Sequence, residues 1–596
     1  MKKEDRLEKL EKWWKIADSA QQQWLVQARE DLDFYIGGER HWDSNSLQIL
    51  KSQNRPALTY NMLFSLTNIL SGQQRQNRQD IIVFNRKGGN KRIAGILTEL
   101  IKHIKDGCFS DWEESMVFLL GVITGKGWLN LNIDYDDEVV TGDIKIESIS
   151  PFRIYSDPFF EKYDMSDAQY IFKIAWLPKD RIELAFPDKS DEFEGMAVSE
   201  SDREPLAYSQ GDKYTDWPVQ QHGLEEIEKF RYRVKECWWK EFREQKFLVG
   251  VESGIVRQVD YPADKIKVIL GQYPSLRLVK RVRPVMNLTT YVGNVEIQHI
   301  EDPLKGMDQF PIIPFFSYWA EGQHWGVITQ LKDPQREINK RASQMLHHLN
   351  QSANSGWVAD NDALADFSIL EDFGSKPGIV IKKKPGSMLE RINPAPISDG
   401  HMRLAELGKN SIREISGVNP DLAGMPEDKN VSGYLMELRK NQGLISIESI
   451  FDNFRLSKII MGSRLIDMIQ MTDVYTKEEI LNIVVDGEVK EIPVNLEQKS
   501  GAVESIKNDL SIGKYKVSVS ESKISATSRM RDFNMLIEAL KAGLPVPPEI
   551  LLKASDLPYR EEILQAMNNP PNVPSVNPQD GQGIEEGIPP QQINNG

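Results

Sequence analysis

Asp333-Pro-Gln-Arg-Glu-Ile-Asn-Lys-Arg-Ala-Ser-Gln-Met-Leu-His-His-Leu349 is the stretch that decides the fold. Asp333 is a favoured N-cap residue, and Pro334 follows it at the first helical position, where proline is tolerated. Apolar side chains then recur at helical spacing along one face: Ile338, Ala342, Met345, Leu346 and Leu349. This pattern predicts a helix of about five turns.

The residues after this helix change pattern twice. Residues 353–398 contain strand-like and turn-like runs such as Gly378-Ile-Val-Ile-Lys-Lys-Lys-Pro-Gly386, which predicts a small β-rich insert. A second helix is predicted for residues 399–416.

A loop and a long helix complete this part of the chain. Prolines and glycines in residues 417–431 favour a loop, whereas residues 432–472 are mostly helical in pattern and would span roughly 60 Å if unbroken. Gly443 and Gly462 are candidate kinks. The predicted order is therefore helix, β insert, helix, loop, long helix.

The rest of the chain mixes both kinds of element. Apolar residues at helical spacing predict a long helix over residues 2–34. Further helices are predicted at residues 60–76, 92–105, 112–120, 529–542 and 548–568, and alternating strands at residues 128–155, 230–256, 276–297, 482–485 and 515–519. Residues 188–204 are acid-rich and predict a solvated insertion, and the proline-rich residues 569–596 predict a disordered tail. The fold class is therefore α+β.

Composition limits the function. The 596 residues include 73 Lys and Arg against 88 Asp and Glu, a net charge of −15, which argues against wholesale DNA wrapping. Cys108 and Cys237 are the two cysteines, so no disulfide framework is expected and a reducing compartment fits. With no run of about 18 apolar residues and no signal core, neither secretion nor membrane insertion is expected.

Motifs for catalysis or metal binding are weak. Gly121-Val-Ile-Thr-Gly125-Lys126-Gly127 has the wrong glycine spacing for a phosphate loop and lacks its Ser or Thr, so a helix end turning into a strand is favoured. The acids at 134 and 136–138 lack calcium-loop spacing and suit a hairpin turn. His347 and His348 point about 100° apart, so they do not chelate one ion. No catalytic residue, metal site or cofactor is predicted.

Two basic clusters leave an alternative open. Lys382, Lys383 and Lys384 lie in the predicted insert, and Arg277, Lys280, Arg281 and Arg283 lie in a predicted strand. Each cluster suits either a solvated strand face, which is favoured, or a contact with phosphate backbone. Trp238 and Trp239 are expected in the core.

Seven stretches occur in one order along the chain: Arg55–Asn61, Gly72–Arg78, Gly125–Trp128, Ser150–Pro158, Gly326–Gln335 with Asn339, Asn441–Ser446 with Phe451–Asn453, and Gly543–Leu552 with Ser555–Pro558. Their joint pattern resembles the portal proteins of tailed bacteriophages, specifically those of short-tailed, podovirus-like phages. The resemblance covers about residues 28–568.

This resemblance implies a ring, usually of twelve subunits, at a unique capsid vertex, through which the genome is packaged and later ejected. It assigns the following parts: an N-terminal helix and α+β wing (1–325), stem helix 1 (326–352), clip (353–398), stem helix 2 (399–416), tunnel loop (417–431), long helix and return to the wing (432–526), helical crown (527–568) and tail (569–596).

The same resemblance implies site residues and partners. The tunnel loop would present Asp421, Glu427, Asp428, Lys429 and Asn430 to DNA, and the three clip lysines, Lys382 to Lys384, would touch phosphate. The implied partners are other copies of the chain, the large terminase subunit, tail adaptor or head-completion proteins, the major capsid and scaffolding proteins, and double-stranded DNA that passes without sequence preference. Assembly in the host cytoplasm and residence in the virion follow.

Two other classes remain as alternatives. A DNA-processing enzyme, such as a packaging ATPase or nuclease, would need a phosphate loop or a metal-binding carboxylate cluster, and neither pattern is present. A tail adaptor or scaffold protein would share the acidity, but not the order of helix, β insert, helix, loop and long helix.

Overall fold

In the computed structural model, the described residues are 2–86, 90–135, 142–189, 192, 203–205, 230–250, 256–259, 261–353, 356–364, 366–373, 379–392, 399–418, 433–475, 479–485, 488–500, 503–508, 510, 514–521, 526–555 and 563. The chain divides into two compact units, Met1–Ser520 and Glu521–Gly596. Helices and strands are mixed, so the predicted α+β class is confirmed.

The described helices are α1 (Lys3–Ile36), α2 (Ser44–Ser52), α3 (Met62–Gln76), α4 (Lys91–Gly107), α5 (Ser110–Thr124), α6 (Lys179–Ala185), α7 (Ala263–Gln272), α8 (Lys332–Ala353), α9 (Ser368–Phe373), α10 (Asp399–Ser416), α11 (Gly433–Met471), α12 (Ala526–Lys541) and α13 (Pro548–Ala554). The described strands are β1 (Gln79–Asn85), β2 (Lys126–Asp134), β3 (Asp143–Ile149), β4 (Ile154–Ser156), β5 (Tyr170–Pro178), β6 (Arg203–Pro205), β7 (Phe230–Gly250), β8 (Val256–Gln258), β9 (Leu276–Val292), β10 (Val295–Glu301), β11 (Ile312–Phe316), β12 (Tyr318–Ala320), β13 (Gln323–Trp325), β14 (Trp357–Ala359), β15 (Leu389–Arg391), β16 (Glu479–Val485), β17 (Glu488–Val494), β18 (Leu496–Ser500), β19 (Val503–Lys507) and β20 (Tyr515–Glu521).

The largest sheet packs against helix α1. Its described strands run in the order β10, β9, β7, β5, β4, with β6 and β8 also paired to β7. Helix α1 buries Trp14 and Trp24 against the aromatic side chains of this sheet, among them Phe172 and Trp239. Trp238 and Trp239 are 8% and 2% exposed, so their predicted core placement is confirmed.

A second core joins α3, α4, α5 and α11 to the antiparallel sheet β11, β2, β3. Helix α5 ends at Thr124, and Gly125 adopts a left-handed φ of 87° before β2 begins at Lys126. A Cβ atom at Gly125 would lie 2.7 Å from the backbone carbon of Trp325, so only glycine fits this turn. The predicted change from helix to strand is confirmed.

The predicted helices on either side of the insert are confirmed as α8 and α10, and the long helix as α11, which runs through Gly443 and Gly462 as one element of 39 residues. At Gly462 a Cβ atom would lie 2.8 Å from side-chain atoms of Ile81 and Val517. This glycine therefore allows close packing between α11 and the β1–β20 pair instead of a kink.

Later elements were only partly predicted. Strands β17, β18 and β19 form hairpins that the alternation pattern missed, because they are short and polar.

In the second unit, α12 packs against α13. Helix α13 ends at Ala554 and is followed by Ser555. Except for Ser555 and Ile563, the remainder of the predicted helix and the predicted tail lie outside the described residues. Most of the predicted acidic insertion and residues 136–138 lie outside them too.

Candidate functional site at the paired helices

The helices α8 and α10, here called the paired helices, lie antiparallel. Near the start of α8, Ile338 faces Gly408 of α10, where a Cβ atom would come within 2.9 Å of the Ile338 Cγ1 atom. Toward the other end, the rings of His348 and His401 lie 5.7 Å apart. The absence of a side chain at Gly408 lets the two helices approach closely at the crossing.

A polar ladder attaches α8 to the extended segment that precedes α3. Side chains of α8 accept three hydrogen bonds from backbone N–H groups: Ser343 Oγ from Leu58 at 2.8 Å, Asn339 Oδ1 from Tyr60 at 3.0 Å, and Gln335 Oε1 from Met62 at 3.1 Å. The acceptors recur every four residues on a helix and the donors every two residues on an extended chain. The ladder joins two of the stretches that carry the family resemblance.

His41 extends this ladder toward α1. Its Nδ1 atom lies 3.0 Å from Asn339 Nδ2, which can only donate, and its Nε2 atom lies 2.7 Å from the Phe34 carbonyl, which can only accept. These partners select the neutral tautomer with the proton on Nε2. Burial also lowers the pKa of His41, which favours the same neutral form.

Ion pairs bind the start of α8 to the end of α1. The Nζ atom of Lys332 lies 2.9 Å from an oxygen of Asp31, which is fully buried and also accepts a hydrogen bond from the Thr329 hydroxyl at 2.8 Å. Arg336 pairs with Glu30. Burial raises the pKa of Asp31, while Lys332 opposes the rise. The N-terminal end of α8 is therefore held by both hydrogen bonds and ion pairs.

Helix α10 has one broad apolar face, of which one edge is buried and the other is exposed. The buried edge packs toward α8 and includes Gly408 and Ile412. The exposed edge contains Leu404, Leu407 and Ile415, which are 39%, 61% and 53% exposed. At 100° per residue these three side chains fall on one stripe of the helix. We call it the bare stripe.

The insert between the paired helices contains the pair β14–β15 and helix α9. Lys382, Lys383 and Lys384 are exposed, and none forms a salt bridge with another described residue. Lys383 Nζ donates to the Ser387 carbonyl at 2.9 Å. Their contact with phosphate stays a prediction. The other predicted site residues, Asp421, Glu427, Asp428, Lys429 and Asn430, lie outside the described residues.

A buried charge cluster fixes α11 to the body of the first unit. Glu114 of α5 is 1% exposed and pairs with Lys458 of α11 at 2.6 Å and with Lys105 of α4 at 3.0 Å. Ser110 donates a further hydrogen bond to the same carboxylate at 3.0 Å. Burial alone would raise the pKa of Glu114, but the two lysines outweigh it and hold the pKa at about 2.

Sequence reasoning missed both the cluster and the ladder. The pair Glu114 and Lys458 is separated by more than three hundred residues and belongs to no motif. The ladder had a detectable signal, because Gln335, Asn339 and Ser343 form a polar stripe at spacing four beside the apolar one.

The described residues have neither a metal-binding cluster nor a membrane-spanning helix. They contain no group of three or more His, Cys, Asp and Glu side chains placed to hold a metal ion. No helix in this part of the chain is both long and apolar enough to span a bilayer.

Comparison with known proteins identifies the family of this chain. A family model described as phage P22-like portal protein matches residues 11–595, more of the chain at both ends than the seven stretches cover. A comparison with curated proteins gives no match. Because the family model covers nearly every residue, the chain belongs to the phage P22-like portal protein family.

Proposed function

We propose that this phage portal protein assembles into a closed ring of about twelve subunits at one capsid vertex, and that the genome passes through its centre during packaging and ejection. The bare stripe of α10 is the observation that carries the proposal. Leu404, Leu407 and Ile415 are 39–61% exposed in the single chain, although full burial of an exposed side chain of this kind is worth roughly 1.5–3 kcal/mol.

A neighbouring copy is the natural cover for this stripe. In a cyclic ring each subunit presents two different surfaces, one to each neighbour, so its helices need apolar faces beyond those used internally. Helix α10 meets this requirement, because Gly408 and Ile412 pack inside the subunit while the neighbouring bare stripe stays exposed.

The parts of the ring follow the element order. Residues 326–352 and 399–416 form the stem, 353–398 the clip, 417–431 the tunnel loop, 432–526 the long helix and the return to the wing formed by 1–325, and 527–568 the crown. Residues 569–596 form a tail.

DNA passage requires weak contact. A strongly basic channel would hold DNA through counterion release and resist sliding. Acids of the tunnel loop, namely Asp421, Glu427 and Asp428, therefore face the DNA, with Lys429 and Asn430 beside them. The chain acts without catalysis of its own.

The clip is the docking site for other machinery. Its exposed lysines, 382 to 384, would contact DNA phosphate transiently, while the clip binds the large terminase subunit first and the tail adaptor later. The capsid and scaffolding proteins would surround the wing. Assembly in the host cytoplasm precedes incorporation into the virion.

The double substitution Leu404→Gln with Leu407→Gln tests the ring. Native mass spectrometry of the wild type, with electron microscopy, should give a ring of about twelve times 68.2 kDa, whereas the double variant should give mostly free subunits. Met402→Gln is the matched control, because Met402 is 58% exposed on the opposite side of the same helix and should leave the ring intact.

Circular dichroism is the check that both variants are folded. A wild-type chain that stays monomeric even with capsid and scaffolding proteins would refute the ring. Rings formed equally well by the double variant would refute the assignment of the bare stripe as the interface.

A further inference from the structure

Basic charge is concentrated in one segment of this acidic chain. Between Phe242 and Pro284 there are nine Lys and Arg residues against four Asp and Glu, a net charge of +5, whereas the whole chain carries −15. The segment contains the second half of β7 and the first half of β9, with β8 and α7 between them in the chain. Such separation of charge within one protein indicates a surface for an anionic partner.

Strand register places the arginines on one face. In the antiparallel pair, Arg243 lies opposite Arg283, Gln245 opposite Arg281, and Val249 opposite Arg277. Residues opposite each other share a face, and alternate residues of one strand do too. Four arginines therefore share one face of this strand pair: Arg243, Arg277, Arg281 and Arg283. Within residues 243–249 and 277–283, no Asp or Glu lies on the same face. We call this face the arginine row.

Half of the row is compensated and half is not. Arg283 pairs with Asp308 at 2.9 Å, and Arg243 pairs with Glu241 at 2.6 Å and Glu301 at 2.9 Å. Arg277 and Arg281 are exposed, and within the described part of the chain neither forms an ion pair. They are separated by four strand residues, roughly 13 Å. Two guanidinium groups are thus available to a partner.

We propose that the arginine row binds the phosphates of double-stranded DNA without sequence preference, as a surface additional to the proposed channel. Arginine offers a planar fork of donors that matches phosphate. Because charge is screened over about 10 Å, the acidity of the remaining chain does not cancel this local attraction.

The face favours a nucleic acid over an acidic protein. Protein interfaces rely on buried aromatic and apolar anchors, and on this face Phe247 is only 8% exposed and Val279 is partly buried. A row of cations without an accessible apolar anchor suits a regular polyanion, whose binding comes from counterion release.

The test compares wild type with the double variant Arg277→Glu and Arg281→Glu. Binding of a labelled duplex of about 30 base pairs to the full-length protein is measured by fluorescence anisotropy at several salt concentrations. We expect the variant to bind about tenfold or more weakly, and the slope of log affinity against log salt to fall by about 1.8, or 0.9 for each lost phosphate contact.

A second double variant controls for net charge. Lys12→Glu with Lys51→Glu makes the same change in charge at lysines that are 71% and 58% exposed and lie outside the segment. It should bind DNA as the wild type does, within about twofold.

Three results would overturn the proposal: no salt-dependent binding by the wild type, equal weakening in both double variants, or binding of polyglutamate but not of duplex. The mass of each sample is recorded in parallel. The row needs no ring in order to bind, so failed assembly and failed DNA binding are distinguished.

Discussion

The body of the first unit and helix α10 depart from ordinary burial in opposite directions. The body buries charge, since Glu114 is 1% exposed and Lys458 is 2% exposed, whereas α10 leaves Leu407 61% exposed. Glu114 and Lys458 are partners within the same chain. The Glu114 cluster is therefore compensated inside one subunit, while α10 has an apolar surface that a single subunit does not cover.

The strongest way to break this comparison is Glu114→Ala. The substitution leaves Lys105 and Lys458 buried without their carboxylate, and breaking such a pair typically costs about 3–5 kcal/mol. Urea unfolding at pH 7 should show this loss.

A triple variant supplies the control. Replacing all three charges, with Glu114→Leu, Lys105→Met and Lys458→Met, should cost less than Glu114→Ala, because no charge is then buried alone. A loss below about 1 kcal/mol for Glu114→Ala would show that the cluster is solvated and the comparison mistaken.

The polar ladder on α8 should have the next largest effect on stability. Asn339→Ala removes the acceptor for the Tyr60 amide and the donor to His41, so we expect a loss of about 2–3 kcal/mol and faster hydrogen exchange at Tyr60. Lys340→Ala, at an exposed neighbouring position on the same helix, should change stability by less than about 0.5 kcal/mol. Unchanged exchange at Tyr60 would mean that the ladder does not hold the segment.

Asp467 sharpens the comparison, because it is a largely buried charge that is poorly compensated. Burial, followed by the Asp308 carboxylate, raises the pKa of Asp467 to about 6, against the opposing effect of Arg464. The folded state therefore binds a proton that the unfolded state has already lost, and stability falls as pH rises from about 4 to about 6.

Asp467→Asn should remove this loss, so the variant should gain about 1–3 kcal/mol at pH 7.5 and nothing at pH 3.5. Unfolding free energies at the two pH values provide the measurement. Asp452→Asn, at a 52% exposed position on the same helix, is the control and should show no such pH dependence. A gain that is equal at both pH values would exclude titration of Asp467 as the cause.

Local signals account for the elements that were predicted correctly. Helix α8 has its apolar stripe within about twenty consecutive residues, although it begins at Lys332, one residue before the predicted N-cap Asp333. The turn at Gly125 requires a left-handed φ, which a single glycine can signal. The short polar strands β17 to β19 escaped prediction because they have little alternation to read. The helical spacing of Leu404, Leu407 and Ile415 is visible in the sequence. That these side chains are exposed in the single chain is visible only in the structure.

The sequence alone was enough to predict most of the long helices, the α+β class, the acidity and, through seven dispersed stretches, the family. It did not predict the short helices α2, α6, α7 and α9. Only the tertiary structure decided which polar groups meet: Leu58 with Ser343, Glu114 with Lys458, and Arg283 beside Arg243 across two strands. The physical reason is that helical and strand periods arise between near neighbours in the chain. A hydrogen bond or ion pair between residues hundreds of positions apart leaves no period to detect and becomes visible only when the chain has folded.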